Sequence, residues 1–469
     1  MAEKVAATAI ANFCETNELL HEGQFGCRKQ RSAIDAVAKL IYTTEKAWSQ
    51  KKLLGALFMD VKGAFDYVVK ERLLQRMTEL GIPQFLVKWT ESFLTDRQAQ
   101  LVIDGFTCSL KDTNSGVPQG SPVSPILFII YLSGIFNKIE EQNPEIIALS
   151  FADDIAFLAP GKTVKDIQDA LANAGEQAIA WGLTNNVTFD VDKTEAVLFT
   201  KKRKIRQILS NYNIKIQSHA IKFNREATRW LGIWLDAGLS LKEHRQIRLQ
   251  KAQKAENRLK AISGTFGLAS GLVRRVQIAA VQSVALYGAE LWWKGQKDAI
   301  NKLQKLINKQ SRAITGALTT SPIDLLLKEA EMTPAEPLLD HKQRKFTLRA
   351  LKLPSTNPAN QLLPPTLRYG DGTAQPNEYS IRNLEWSDCR AKPRNLAQRL
   401  AKKLTNQLKT DPSEGFEEAK RVKGLLFPGE IVISSLEKAE IEATTDYPDL
   451  TIWTDGSKLD SGHLGTGIA

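Results

Sequence analysis

The chain has 469 residues, of which 43% are hydrophobic and 25% charged, with a formal net charge of +11. That length exceeds what one core usually covers and predicts two or three domains of ordinary globular composition. The charge suits a polyanionic partner and salt-sensitive binding, while no apolar run is long enough to span a bilayer.

Four cysteines without paired metal spacing suit a reducing compartment. The N-terminus has neither a secretory nor a transit pattern. Residues 3–20 read as a helix, and 24–32 as a basic loop in which Arg28, Lys29 and Arg31 either bind phosphates or face water. Residues 53–59 are a continuous apolar run, read as a strand buried on both faces that ends in Asp60. Residues 115–125 are rich in proline and glycine, which on composition alone favours a turn ahead of the apolar segment 126–131. Gln119 in that turn can both donate and accept hydrogen bonds.

Two short apolar runs, 146–150 and 155–159, predict a hairpin with Asp153 and Asp154 at its tip. An acidic turn is the plain alternative for such a pair in isolation. Two adjacent carboxylates repel, however, and Asp60 at the end of another strand adds a third. Together they predict an oxygen-rich site for Mg²⁺, which takes a few carboxylates, retained waters and substrate phosphates. Two such ions serve phosphoryl transfer.

Farther on, residues 189–195 precede a strand at 196–200, and 201–206 form either a basic loop or a nuclear address. In a helix predicted over 241–262, Arg248, Lys251, Lys254 and Arg258 fall within about a third of the circumference. That face either follows a phosphate backbone or is simply solvated. Residues 273–293 read as packed helix and 319–331 as an amphipathic one. Prolines mark 353–377 as a linker, and 382–422 is charged and partly helical. There is no internal repeat.

Phe58-Met59-Asp60-Val61-Lys62-Gly63-Ala64-Phe65-Asp66 resembles the first palm motif of reverse transcriptases from retrotransposons without long terminal repeats. Residues 115–125 resemble their second motif, and Phe151-Ala152-Asp153-Asp154 their third, in matching order and spacing. The resemblance covers about residues 20–345. It implies an α+β right-hand polymerase with mixed fingers, an antiparallel palm sheet and a helical thumb. It implies RNA-directed DNA synthesis with Mg²⁺, or Mn²⁺, on Asp60, Asp153 and Asp154, and with an RNA template, a DNA primer and deoxynucleoside triphosphates as partners.

The same resemblance puts Phe65 under the incoming sugar, and Arg28, Gln119 and Gly120 against the nucleotide. It puts Lys193 by the departing pyrophosphate as a proton donor, and Trp230 and Gly232 in a hairpin gripping the primer. Asp66 receives no chemistry. For Phe65 and Trp230 core packing is the alternative; for Trp292 and Trp293 core packing is the preferred reading and stacking on bases the alternative. Residues 450–458 resemble the opening strand of ribonuclease H, with Asp455 as its first metal-binding acid and 465–469 beginning the next strand. The family's later acids have no counterpart, so no nuclease site is expected there, and residues after 445 are expected to be poorly ordered or to pack elsewhere.

The expected organisation is fingers and palm over 1–205, primer-grip hairpin and thumb over 206–345, a linker with charged helix over 346–445, and the ribonuclease H start over 446–469. The rival readings are a silent remnant that only binds nucleic acid, and a maturase-like or telomerase-like polymerase. An intracellular setting is expected, with nucleus, cytoplasm and mitochondrion left open.

Overall fold

A computed structural model describes residues 1–113, 115–265, 268–363, 395, 396, 398–400, 454–458 and 464–468. The chain divides into two units, Met1–Glu414 and Gly415–Ala469. In the first, four antiparallel strands form one sheet: β1 (Leu53–Asp60), β2 (Ile147–Phe151), β3 (Asp154–Gly161) and β4 (Glu195–Phe199), in the order β2-β3-β1-β4.

β1 is buried along its length except at Asp60. Its side chains alternate between faces, as the pleat requires. Leu54, Ala56 and Phe58 enter one core, and Leu53, Leu57 and Met59 enter another. Each fully buried leucine or phenylalanine stabilises the fold by roughly 1.5–3 kcal/mol. Helix Ala33–Ser49, whose Ser32 cap accepts the Asp35 N–H, packs against β1 and shares the first core. Helix Val164–Asn185 crosses the other face so closely that a β-carbon at Gly55 would lie 2.2 Å from Ile167 Cγ2. That approach explains a glycine in mid-strand.

The predicted acidic hairpin is present. β2 and β3 are joined by Ala152 and Asp153 alone, between the paired Phe151 and Asp154. So short a turn needs a left-handed residue, and Ala152 supplies it at φ +56°, at a cost of about 1 kcal/mol. Residues 23–25 run along the free side of β2. There Ser150 N–H donates to the Gly23 carbonyl and Phe25 N–H to the Ser150 carbonyl, both at 2.8 Å. A β-carbon at Gly26 would meet Ala152 N at 2.2 Å.

After β4 the basic run is a short helix, Arg203–Ile208. A hairpin of Asn213–Ile216 with His219–Lys222 contributes to the second core. A second, Thr228–Trp230 with Ile233–Leu235, contributes to the first. That first core then runs through helices Lys242–Thr265, Lys297–Thr315 and Ala335–Lys352. The α+β class and the antiparallel sheet followed by helices agree with the sequence reading.

Two expectations are corrected. Residues 273–293 are not one helix: Ser270–Val276 widens into a π turn at Gln277–Gln282, and Gly288 at φ +72° breaks the chain before Ala289–Trp292. Residues 353–363 are not a loose linker. Ala359, Leu362 and Leu363 are buried in the first core, and Asn360 Nδ2 donates to the carbonyls of Ala350 and Leu353 at 3.1 and 3.0 Å. The rest of that linker and most of 382–422 lie outside the described residues. In the second unit, Thr454–Lys458 pairs antiparallel with Leu464–Ile468, with Asp455 opposite Gly467.

Candidate active site

Asp60, the last residue of β1, lies directly opposite Asp154, the first residue of β3. Asp153 precedes it in the turn, and its carbonyl accepts the Val61 N–H at 3.2 Å. Burial, and after it the Asp153 charge, holds the Asp60 carboxyl above its ordinary range, against the pull of Lys193. Asp154 is pushed up to about 6, chiefly by burial, then by Asp153 and Asp60, with Arg229 opposing. The three acids therefore share one electrostatic site.

Among the described residues no three His, Cys, Asp or Glu side chains are grouped closely enough to hold a metal ion by themselves. Mg²⁺ takes few carboxylates and fills its shell with water and phosphate oxygens. Lys193 Nζ lies 2.9 Å from Asp190 Oδ2 and 3.9 Å from Asp60 Oδ2. The Asp190 N–H donates to the Asp60 carbonyl at 2.9 Å, so the Lys193 turn is tied to the end of β1.

Downstream of Asp60 two loops pack against each other. Phe65 is half-buried, its ring 5.3 Å from that of Phe128. The Phe65 carbonyl accepts Val117 N–H at 2.7 Å, and the Val68 carbonyl accepts Gly116 N–H at 2.9 Å. Gly116 and Gly120 have φ of +76° and +92°, a conformation that favours glycine. Gln119 Nε2 donates to Asp66 Oδ1 at 3.0 Å, with both side chains exposed. The loop of Phe65 and the loop of Gln119 and Gly120 are thus fastened to each other.

Other expected site residues lie elsewhere in the chemistry. Arg28 is corrected: its guanidinium is buried, bonding both Glu15 carboxylate oxygens at 2.7 and 2.8 Å and the His21 carbonyl at 2.7 Å. No face of it remains for a triphosphate. Arg31 is likewise turned inward onto the carbonyls of Glu22 and Gln24. Lys29 stays exposed, bonded to Asn12 Oδ1 at 2.5 Å. Trp230 is corrected too: it is 3% exposed, with its ring 5.5 Å from Phe58, so it packs in the core and cannot stack on a base. Gly232, at φ +77°, forms the tip of that hairpin with Leu231, and Tyr287 Oη donates to the Leu231 carbonyl at 2.7 Å.

On helix Lys242–Thr265, Lys251, Lys254 and Arg258 are exposed. Arg248 departs from that face. Its Nε donates to the Val284 carbonyl at 2.8 Å and its guanidinium lies 4.8 Å over the Tyr287 ring. One turn earlier, His244 is fully buried. It accepts the Trp234 N–H at Nδ1, 3.4 Å away, and donates from Nε2 to the Tyr287 carbonyl at 2.9 Å. Burial pushes its pKa down to about 4, which fits a neutral ring joining hairpin, helix and the Tyr287 segment.

Sequence reasoning missed Arg229 and Asp190. Arg229 acts on Asp154, and its only signal was its place before Trp230. Asp190 was visible as an acid three residues before Lys193.

The chain is 26% identical over 325 residues to the RNA-directed DNA polymerase from mobile element jockey of Drosophila funebris, covering 68% of this chain and 34% of that protein. It is 24% identical to the probable RNA-directed DNA polymerase from transposon BS of Drosophila melanogaster, covering 67% and 34%. A shorter match, 27% over 154 residues, reaches the Pol polyprotein of retrotransposable element R2 of Popillia japonica, covering 31% and 24%. The chain spans about a third of the length of the first two relatives. Among solved structures, apo telomerase from Candida tropicalis aligns with a TM-score of 0.40 at 11% identity, covering 70% of this chain and 50% of that one. The family profile described as reverse transcriptase (RNA-dependent DNA polymerase) matches residues 1–235, half of the chain and all three motifs. This chain belongs to the reverse transcriptase family.

Proposed function

We propose that the chain is the polymerase core of a retrotransposon protein and performs RNA-directed DNA synthesis in a right-hand fold. The observation that carries this reading is the opposition of Asp60 and Asp154, with Asp153 in the turn beside them. The substrates would be a DNA primer on an RNA template and a deoxynucleoside triphosphate. Asp60, Asp153 and Asp154 would hold Mg²⁺, or Mn²⁺, which lowers the pKa of the primer 3′-hydroxyl and neutralises the triphosphate.

The chain's own side chains supply the rest. Phe65 presents an aromatic edge under the sugar, where a 2′-hydroxyl would collide with it. Gln119 and Gly120 line the nucleotide. Lys193, held beside Asp60 by Asp190, donates a proton to the departing pyrophosphate. Lys251, Lys254 and Arg258 follow the backbone of the template–primer duplex as point charges. Gly232 keeps its place at the primer-facing tip of its hairpin, with Trp230 as packing beneath it.

The test is extension of a primed RNA template by the intact chain and by Asp153→Asn. Synthesis should fall at least about a hundredfold in the variant with folding retained; equal synthesis by both proteins removes the assignment. Arg28 being fully engaged inside the protein favours one second reading, a nucleic-acid binder without synthesis. A filter-binding assay run beside the extension assay separates the two.

A further inference from the structure

The residue after Phe65 has had no part in the chemistry so far. Asp66 accepts a hydrogen bond from Gln119 Nε2 at 3.0 Å, and the backbone on both sides of that contact is fastened. Val117 and Gly116 donate to the carbonyls of Phe65 and Val68. Arg97 Nη2 donates to the carbonyls of Ser115 and Gly116 at 2.9 and 2.7 Å. A β-carbon at Gly116 would lie 2.7 Å from the carbonyl oxygens of both Phe65 and Asp66, so the two loops are in van der Waals contact as well.

The Gln119 side chain rises from this fixed base into solvent. A glutamine amide carries a donor on one side and an acceptor on the other, and half a turn about its terminal bond exchanges them. An ionised carboxylate only accepts. Bonded to Asp66, the amide must turn its nitrogen toward that residue and leave its oxygen and one N–H for a ligand.

We propose that Asp66 is a positioning residue that sets the donor–acceptor orientation of Gln119 and through it the grip on the incoming nucleotide. This rests on the polymerase reading above and adds a role at the same site. Asp66 acts on nucleotide affinity, whereas Asp60, Asp153 and Asp154 act on bond formation. Because Asp66 follows Phe65 directly, one short segment carries both the sugar wall and the strap that orients the glutamine.

The test is steady-state extension at varied nucleotide concentration. Asp66→Ala should raise the nucleotide KM about fivefold, with kcat within about twofold of the parent, as loss of one charge-assisted bond at an exposed site implies. Gln119→Ala should do the same, and the double variant should be no worse than either single one. Asp66→Asn, whose carbonyl still accepts, should return KM toward the parent value. A role in folding alone would lower thermal stability and kcat, and Gln119→Ala would not mask it. An unchanged KM in Asp66→Ala, or additive effects in the double variant, overturns the proposal.

Should the parent chain extend no primer, the polymerase reading fails by itself. The side-chain amide signal of Gln119 in ¹⁵N-glutamine-labelled protein, assigned by its loss in Gln119→Ala, then decides the strap. It should shift in Asp66→Ala and recover in Asp66→Asn; a signal that ignores Asp66→Ala overturns the proposal.

Discussion

Asp60 and Asp154 are the last opposed pair of an eight-residue antiparallel ladder between β1 and β3. Their main-chain pairing sets their separation, so the side chains are held together without a bond between them. Lys193 and Arg229 offset only part of the charge that Asp153 adds.

Removing one carboxylate should therefore relieve repulsion. In metal-free buffer Asp154→Asn is expected to be more stable than the parent by about 1 kcal/mol, after allowance for solvent screening of a half-exposed group. Adding Mg²⁺ should raise the parent's melting temperature by binding the folded state, and should raise the variant's less. Calorimetry with and without Mg²⁺ measures both; identical behaviour of the two proteins would contradict the charge argument.

Arg28 should behave as a structural cation. Arg28→Met strands Glu15 and the His21 carbonyl, and is expected to cost about 3 kcal/mol in urea denaturation. A stable variant with weakened nucleotide binding would restore the role that the motif suggested.

His244 gives the fold an acid-side weakness. Its pKa is about 4 when folded, against an ordinary 6.5. The unfolded chain therefore binds the extra proton first as pH falls. Stability from this group is complete above pH 6.5 and is lost as pH drops through 6.5 toward 4, amounting to about 3 kcal/mol at most. Melting curves at pH 7 and pH 4.5 should show a larger loss for the parent than for His244→Gln; parallel losses would assign the effect to other groups.

The exposed cations of helix Lys242–Thr265 should act through charge alone. Replacing Lys251, Lys254 and Arg258 together by glutamine should weaken binding to an RNA–DNA duplex and reduce the slope of log K against log salt by about 2–3. Arg248→Gln should instead lower the melting temperature, since it loses the Val284 carbonyl and the Tyr287 ring. Filter binding across a salt series distinguishes these outcomes.

The acid cluster was legible because apolar runs that stop abruptly at aspartate are a local pattern, and register does the rest. Arg28 was not legible as an internal residue, because its partner Glu15 lies on the preceding helix and its other acceptor is a main-chain carbonyl. Trp230 has the same appearance whether it stacks or packs; contact with Phe58, far away in sequence, decides for packing. The prolines at 354 and 358 suggested a loose tether. Asn360 turns that segment back onto helix Ala335–Lys352 through two carbonyls, a contact that composition does not encode.

Residues 23–25 hydrogen-bond along the outer side of β2, and Asn224 does so along β4. Flanked in this way, each margin of the sheet has part of its outer row of donors and acceptors already engaged, which lowers its tendency to aggregate through strand addition. The same staples resist slippage of β2, and a slip of a single position between β1 and β3 would exchange the side chains that enter the two cores. It would also carry Asp154 past Asp60, so misalignment would dismantle the acidic centre and mispack both cores in one event.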